Sequence, residues 1–122
     1  RLNEIGGNIN YELIKKTLMD LKKALNEDLK VFTYTAYNCS KQEYYEKEIT
    51  LKDKIILEGV YSAHNYFKEY IDKIIYLFVD KNTQMERIDK RKLKDRFINE
   101  WIPLEEKYYD NILIEEICDL IV

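Results

Sequence analysis

The sequence predicts a mostly parallel α/β sheet flanked by helices. Two continuous apolar runs, "KIILEG" and "KIIYLFVD", have the length and branched composition of strands buried on both faces. A third run, "ICDLIV", closes the chain, and amphipathic helical patterns separate the runs. At 122 residues the chain is read as one domain, or as a truncated part of one.

From the amino end, "NINYELIKKTLMDLKKALNED" places Ile14, Leu18, Leu21 and Leu25 at steps of three and four, which predicts a helix capped by Asn8 or Asn10. A short strand is expected over Lys30 to Thr35, where β-branched and aromatic residues cluster. The stretch from Tyr37 to Asp53 has no sustained period and reads as a surface excursion or hairpin. Residues 54–59 and 73–80 are then expected as buried strands, with a helical face of Phe67, Tyr70 and Ile71 between them. A long helix through 82–101 follows, capped by Asn82 or Thr83, with an approximate stripe of Met85, Ile88, Leu93, Phe97 and Trp101. Pro103 ends it or starts the next turn, and "LEEKYYDNI" is a short amphipathic piece before the terminal strand at 117–122.

The net charge of -3 suits neither a nucleic-acid platform nor an acidic tail. Cys39 and Cys118 have neither a disulfide framework's nor a zinc site's spacing, so a reducing cytoplasm is the expected location. No apolar run reaches the length of a membrane span, and neither a membrane nor a nucleic-acid partner is expected.

Several residues could carry chemistry. Glu58 ends an expected strand, where a carboxylate can hold magnesium through water; the alternative is a helix cap or a lysine pair. From Lys81 to Arg96, seven basic residues stand against three acidic ones, a local balance of +4. Arg87, Arg91 and Arg96 have the chemistry to stabilise a transferring phosphoryl group, and equally that of a solvated face with i,i+4 ion pairs. Tyr37, Asn38, Ser40 and Gln42 can stack on a flat ring and bond its edges, or serve as packing residues. His64, the single histidine, suits a ligand contact or a structural hydrogen bond. No GxSxG elbow is present, which excludes that serine chemistry.

Taken together, "IILEGVYSAH", "IIYLFVDKNTQMERIDKR", "FINEWIPLEEKYY" and "CDLIV", preceded by "GGNINYELI" and "FTYTAYNCSKQ", resemble the carboxyl-terminal part of uridine kinase-like P-loop kinases, over nearly the whole chain and in the same order. The resemblance implies a nucleoside-monophosphate-kinase-like fold. It also implies transfer of the γ-phosphoryl group of ATP, with Mg2+, to a nucleoside or another small hydroxyl compound. By that likeness Glu58 follows a Walker-B-type strand at 54–59, Arg87, Arg91 and Arg96 belong to a lid at 82–101, and an acceptor segment spans 1–50. Tyr37 and Asn38 match a "YN" acceptor motif, and His64 an "EGxYSxH" pattern. Gln42 departs from the family, standing where classical uridine kinases carry a base-contacting histidine.

The phosphate loop GxxxxGK[ST] is not in the chain, whose glycines are Gly6, Gly7 and Gly59. Arg1 is therefore expected to begin a truncated chain, inactive by itself, whose open sheet favours a homo-oligomer. The competing expectation is a non-catalytic binding or oligomerisation module on the same scaffold.

Overall fold

A computed structural model describes residues 9–122. Asn8, Gly6 and Gly7 lie outside the described residues. The chain is mixed helix and strand. Helix α1 (Tyr11–Asn26) leads into the antiparallel hairpin β1 (Val31–Asn38) and β2 (Glu43–Thr50). A 3-10 helix at Asn65–Tyr70 precedes β3 (Ile75–Tyr76), α2 (Lys81–Asp89), α3 (Lys94–Arg96), a π-helical turn at Phe97–Trp101, α4 (Ile102–Ile112), α5 (Ile114–Ile117) and β4 (Leu120–Ile121).

Asn10 caps α1 as its pattern predicts, its Oδ1 accepting the Leu13 amide at 3.1 Å. The face that the helix buries is Leu18 and Leu21 with Tyr11 and Ala24. Leu21 and Ala24 receive Phe32 of β1, and Ile49 of β2, opposite Phe32 in the ladder, closes over that contact. The hairpin expectation holds, with β1 running three residues beyond Thr35. Its 39–42 connection is organised by Asn38, whose Oδ1 accepts the amides of Ser40 and Lys41, both at 3.0 Å. The second half of α1 and the sheet therefore form one layered unit.

Two further apolar clusters complete the interior. Tyr11, Leu18 and Phe67 hold the 3-10 helix against α1, and Phe67 is 1% exposed. Tyr61, Tyr108, Ile112 and Ile114 pack α4 and α5 against the turn after Gly59, with Tyr61 and Tyr108 edge-to-face at 4.9 Å. Ile9 touches both clusters.

The expected mostly parallel sheet does not form. Parallel pairing is confined to Ile75 with Leu120 and Tyr76 with Ile121, beside the separate two-stranded hairpin. Residues 54–59 are not a strand: Ile55, Ile56 and Leu57 are exposed, Ile56 at 90%, and no strand among the described residues pairs with them. An apolar run becomes a strand only where a neighbour takes its amides and carbonyls, a condition that composition cannot register. For the same reason the 73–80 run contributes two ladder residues, and the 117–122 run shortens to β4 behind α5.

The long helix expected over 82–101 is broken. Its start is set by Asp80, not Asn82 or Thr83: the carboxylate accepts the Thr83 amide at 2.9 Å and the Thr83 hydroxyl at 2.8 Å. These bonds hold the Asp80 carboxyl below its usual range. A continuous helix would align Arg87, Lys90, Arg91 and Lys94 at i,i+3 and i,i+4 spacings, where like charges repel. The turn after Asp89 instead brings Lys94 Nζ to the Asp89 carboxylate at 2.7 Å. Pro103 falls in the first turn of α4, where its missing amide is harmless. Leu113, left-handed at φ 53°, separates α4 from α5.

Candidate functional site

The start of α1 and the hairpin enclose a cleft of about 570 Å³. Ile14, Thr17 and Leu18 form its helix wall and Tyr34 to Tyr37 its strand wall, with Leu57 at one end. Antiparallel register sets Tyr37 opposite Tyr44, and their rings meet tilted at 5.0 Å. Asn10 links both walls: its Oδ1 caps α1 while its Nδ2 donates to the Tyr44 hydroxyl at 3.3 Å. Thr35 Oγ1 donates to Glu46 Oε1 at 2.8 Å, and Thr17 Oγ1 to the Leu13 carbonyl at 2.8 Å. An apolar slot edged by tyrosine phenols, threonine hydroxyls and a side-chain amide suits a flat ring carrying hydroxyl or amide groups.

Of the residues singled out in sequence, Tyr37 lines this cleft. Asn38 lies at its border with its side-chain oxygen engaged in the hairpin turn. Gln42 takes a left-handed φ of 53° in that turn. The residues that sequence reading missed are Asn10 as a cleft residue, Tyr44 and Thr35. Their signal is hairpin register, which pairs Tyr44 with Tyr37 once the 39–42 connection is placed.

His64 lies away from the hairpin. Its Nδ1 accepts the Tyr66 amide at 3.1 Å and so caps the 3-10 helix. Its ring is near parallel to Tyr66 at 5.1 Å and to Tyr108 at 6.1 Å. A broader, more open hollow of about 810 Å³ adjoins it, lined by Lys15, Asn65, Tyr66, Lys68, Glu69 and Asn111. Its rim of solvated polar ends encloses a ligand less well than the α1–hairpin cleft does.

Glu58 is exposed in the extended segment before Gly59. Arg91 and Arg96 are turned onto aromatic rings, the first over Phe97 at 5.5 Å and the second over Trp101 at 5.3 Å. Arg96 Nε also pairs with Glu100 Oε2 at 3.1 Å. Arg87 forms no ion pair with another of the described residues, and neither it nor Glu58 lines the cleft. Among the described residues no three His, Cys, Asp or Glu side chains converge as a metal site.

The tyrosine cluster beneath α4 is the most perturbed part of the molecule. Burial, then the Glu105 carboxylate, pushes the Tyr61 and Tyr109 phenols up to about 12. Burial and then Tyr109 push Tyr108 up further in the same direction. The Tyr108 hydroxyl faces the Ala63 backbone but meets no partner of hydrogen-bonding geometry. Glu105 is itself raised by burial. Tyr61 and Tyr108 belong to the packed core, and Tyr109 packs against them half-buried. Among the described residues no helix is long and apolar enough to cross a membrane. No protein-family model, curated protein or solved structure matches this chain.

Proposed function

We propose that the chain carries the acceptor pocket of a uridine kinase-like phosphotransferase, holding a nucleoside or a related small hydroxyl compound in the α1–hairpin cleft. The observation that supports this reading is the Tyr37–Tyr44 pair at an apolar slot of about 570 Å³, with Asn10 and Thr35 beside it. A base would lie against the phenols, and its edge groups would meet the Asn10 amide and the Thr35 hydroxyl. A cytoplasmic location belongs to the same reading.

The donor side is different. Mg2+ and ATP do not fit the residues present: Glu58 stands alone at the surface, the arginines at 91 and 96 are engaged by rings, and no metal-binding cluster occurs among the described residues. No transfer step is derived for these residues. In the complete enzyme of this reading the phosphoryl donor is gripped elsewhere. The same lack of a phosphate cradle favours a second reading, a non-catalytic binding module.

Titration of the chain with uridine, followed by the aromatic NMR signals, tests the pocket. Uridine is expected to shift Tyr37 and Tyr44, glycerol to shift neither, and Tyr44→Ala to weaken binding by about 5- to 160-fold, the range of about 1–3 kcal/mol for one base–aromatic stack. No ring-dependent binding at millimolar nucleoside would refute the acceptor reading and leave the second one standing.

A further inference from the structure

We infer that the α1–hairpin cleft selects a neutral ring that brings a carbonyl to Asn10 and Tyr44 and an N–H or O–H to Thr17 and Thr35. This deepens the acceptor reading and rests on it. The selection follows from where the hydrogens of these four lining side chains are already committed.

Asn10 and Tyr44 are left as donors. The capping bond from the Leu13 amide to Asn10 Oδ1, at 3.1 Å, fixes which end of the side-chain amide is which, so the group that reaches the Tyr44 oxygen at 3.3 Å is Nδ2. A phenol oxygen that accepts there keeps its own proton to give, and Nδ2 retains a second hydrogen. A ligand at this end meets O–H and N–H groups, whose complement is a carbonyl oxygen.

Thr17 and Thr35 are left as acceptors. A backbone carbonyl only accepts, so the 2.8 Å contact of Thr17 Oγ1 with the Leu13 carbonyl uses the threonine proton. The Glu46 carboxylate takes the Thr35 proton in the same way, also at 2.8 Å. Both oxygens then offer a ligand lone pairs alone. The Tyr34 and Tyr37 hydroxyls can take either role and set no preference.

Among the described residues no charged side chain lines the cleft. In the hairpin around it Glu43 and Glu46 stand against Lys41 and Lys47, which leaves no cationic cluster for a phosphate. Uracil has the required pattern, two carbonyls flanking a ring N–H. A 5′-phosphate gains no contact in such a site, so the phosphorylated product is held no more tightly than the acceptor.

Titration of the 122-residue chain with uridine, 3-methyluridine and uridine 5′-monophosphate, followed by the Tyr37 and Tyr44 NMR signals, is the test. Uridine should bind at least ~5-fold more tightly than 3-methyluridine, whose ring has no N–H and leaves the threonine oxygens unpaired. The monophosphate should bind no more tightly than uridine. Tyr44→Phe keeps the ring and removes the donor, and it should weaken uridine about 2- to 10-fold, the share of one neutral hydrogen bond. A Thr17→Val, Thr35→Val double variant should weaken uridine and leave 3-methyluridine unchanged, a difference that a loss of folding would not produce. Equal binding of uridine and its 3-methyl form, or a monophosphate bound ~10-fold more tightly than uridine, overturns this inference and leaves the acceptor reading standing. No shift with any of the three ligands overturns both.

Discussion

Raising the pH should unfold this protein through its buried phenols. Tyr61 is 7% and Tyr108 0% exposed, and Tyr109 is half-buried against them. Burial raises all three above the ordinary tyrosine value of 10.0, with Tyr61 and Tyr109 reaching about 12. The neutral phenol is the form the fold favours, so its stabilisation is complete below the unfolded value near 10 and is lost as pH climbs toward and through 12. A displacement of about two units amounts to at most ~2.7 kcal/mol per group. Discounting Tyr109 for its exposure, and all three for titrating as a coupled set, leaves a joint loss of about 4 kcal/mol by pH ~12. Against a typical total of ~5–15 kcal/mol, that loss is decisive.

The assay is urea unfolding at stepped pH, with tyrosinate absorbance recorded on the folded protein. The unfolding midpoint should hold to pH ~9.5 and fall steeply above ~10.5. A Tyr61→Phe, Tyr108→Phe double variant is the control that isolates the buried phenols. It should flatten the decline while costing little at neutral pH, because the Tyr108 hydroxyl meets no hydrogen-bond partner to lose. A folded protein whose tyrosines all ionise near 10, or a double variant with an unchanged pH slope, would refute the reasoning.

Phe67→Ala should lower stability by about 3–5 kcal/mol in urea unfolding, since the ring is the wedge between α1 and the 3-10 helix; a loss under ~1.5 kcal/mol would show that this cluster contributes little. Gln42→Gly should raise stability by about 0.5 kcal/mol by relieving a left-handed non-glycine residue, net of glycine's entropy. Uridine titration of the same variant separates roles: unchanged affinity assigns Gln42 to the turn, and weakened affinity restores it as an acceptor contact.

Helix α1 was legible because its signals are local. Asn10 caps within three residues, and Leu18 and Leu21 declare the buried face by spacing alone. The hairpin was half legible: β-branched and aromatic residues mark β1, whereas the charged β2 sequence "EYYEKEIT" has little hydrophobic pattern and is held by its ladder to β1. The cleft was legible at Tyr37 and hidden at Tyr44, because its second phenol depends on cross-strand register.

Local chemistry thus determined by itself the first helix and the first strand, and it marked Pro103 as a helix boundary. Tertiary structure alone decided what became of the apolar runs. Ile55 to Leu57 and Ile75 to Val79 have the same strand composition, yet only Ile75 and Tyr76 form ladder pairs, with Leu120 and Ile121. The physical reason is that a strand is a property of a pair: branched side chains favour extension, but the backbone bonds that make it a strand belong equally to the neighbour. The broken basic helix, by contrast, goes with contacts only five or six residues apart, Lys94 with Asp89, Arg91 with Phe97 and Arg96 with Trp101, which a search for helical spacings of three and four passes over.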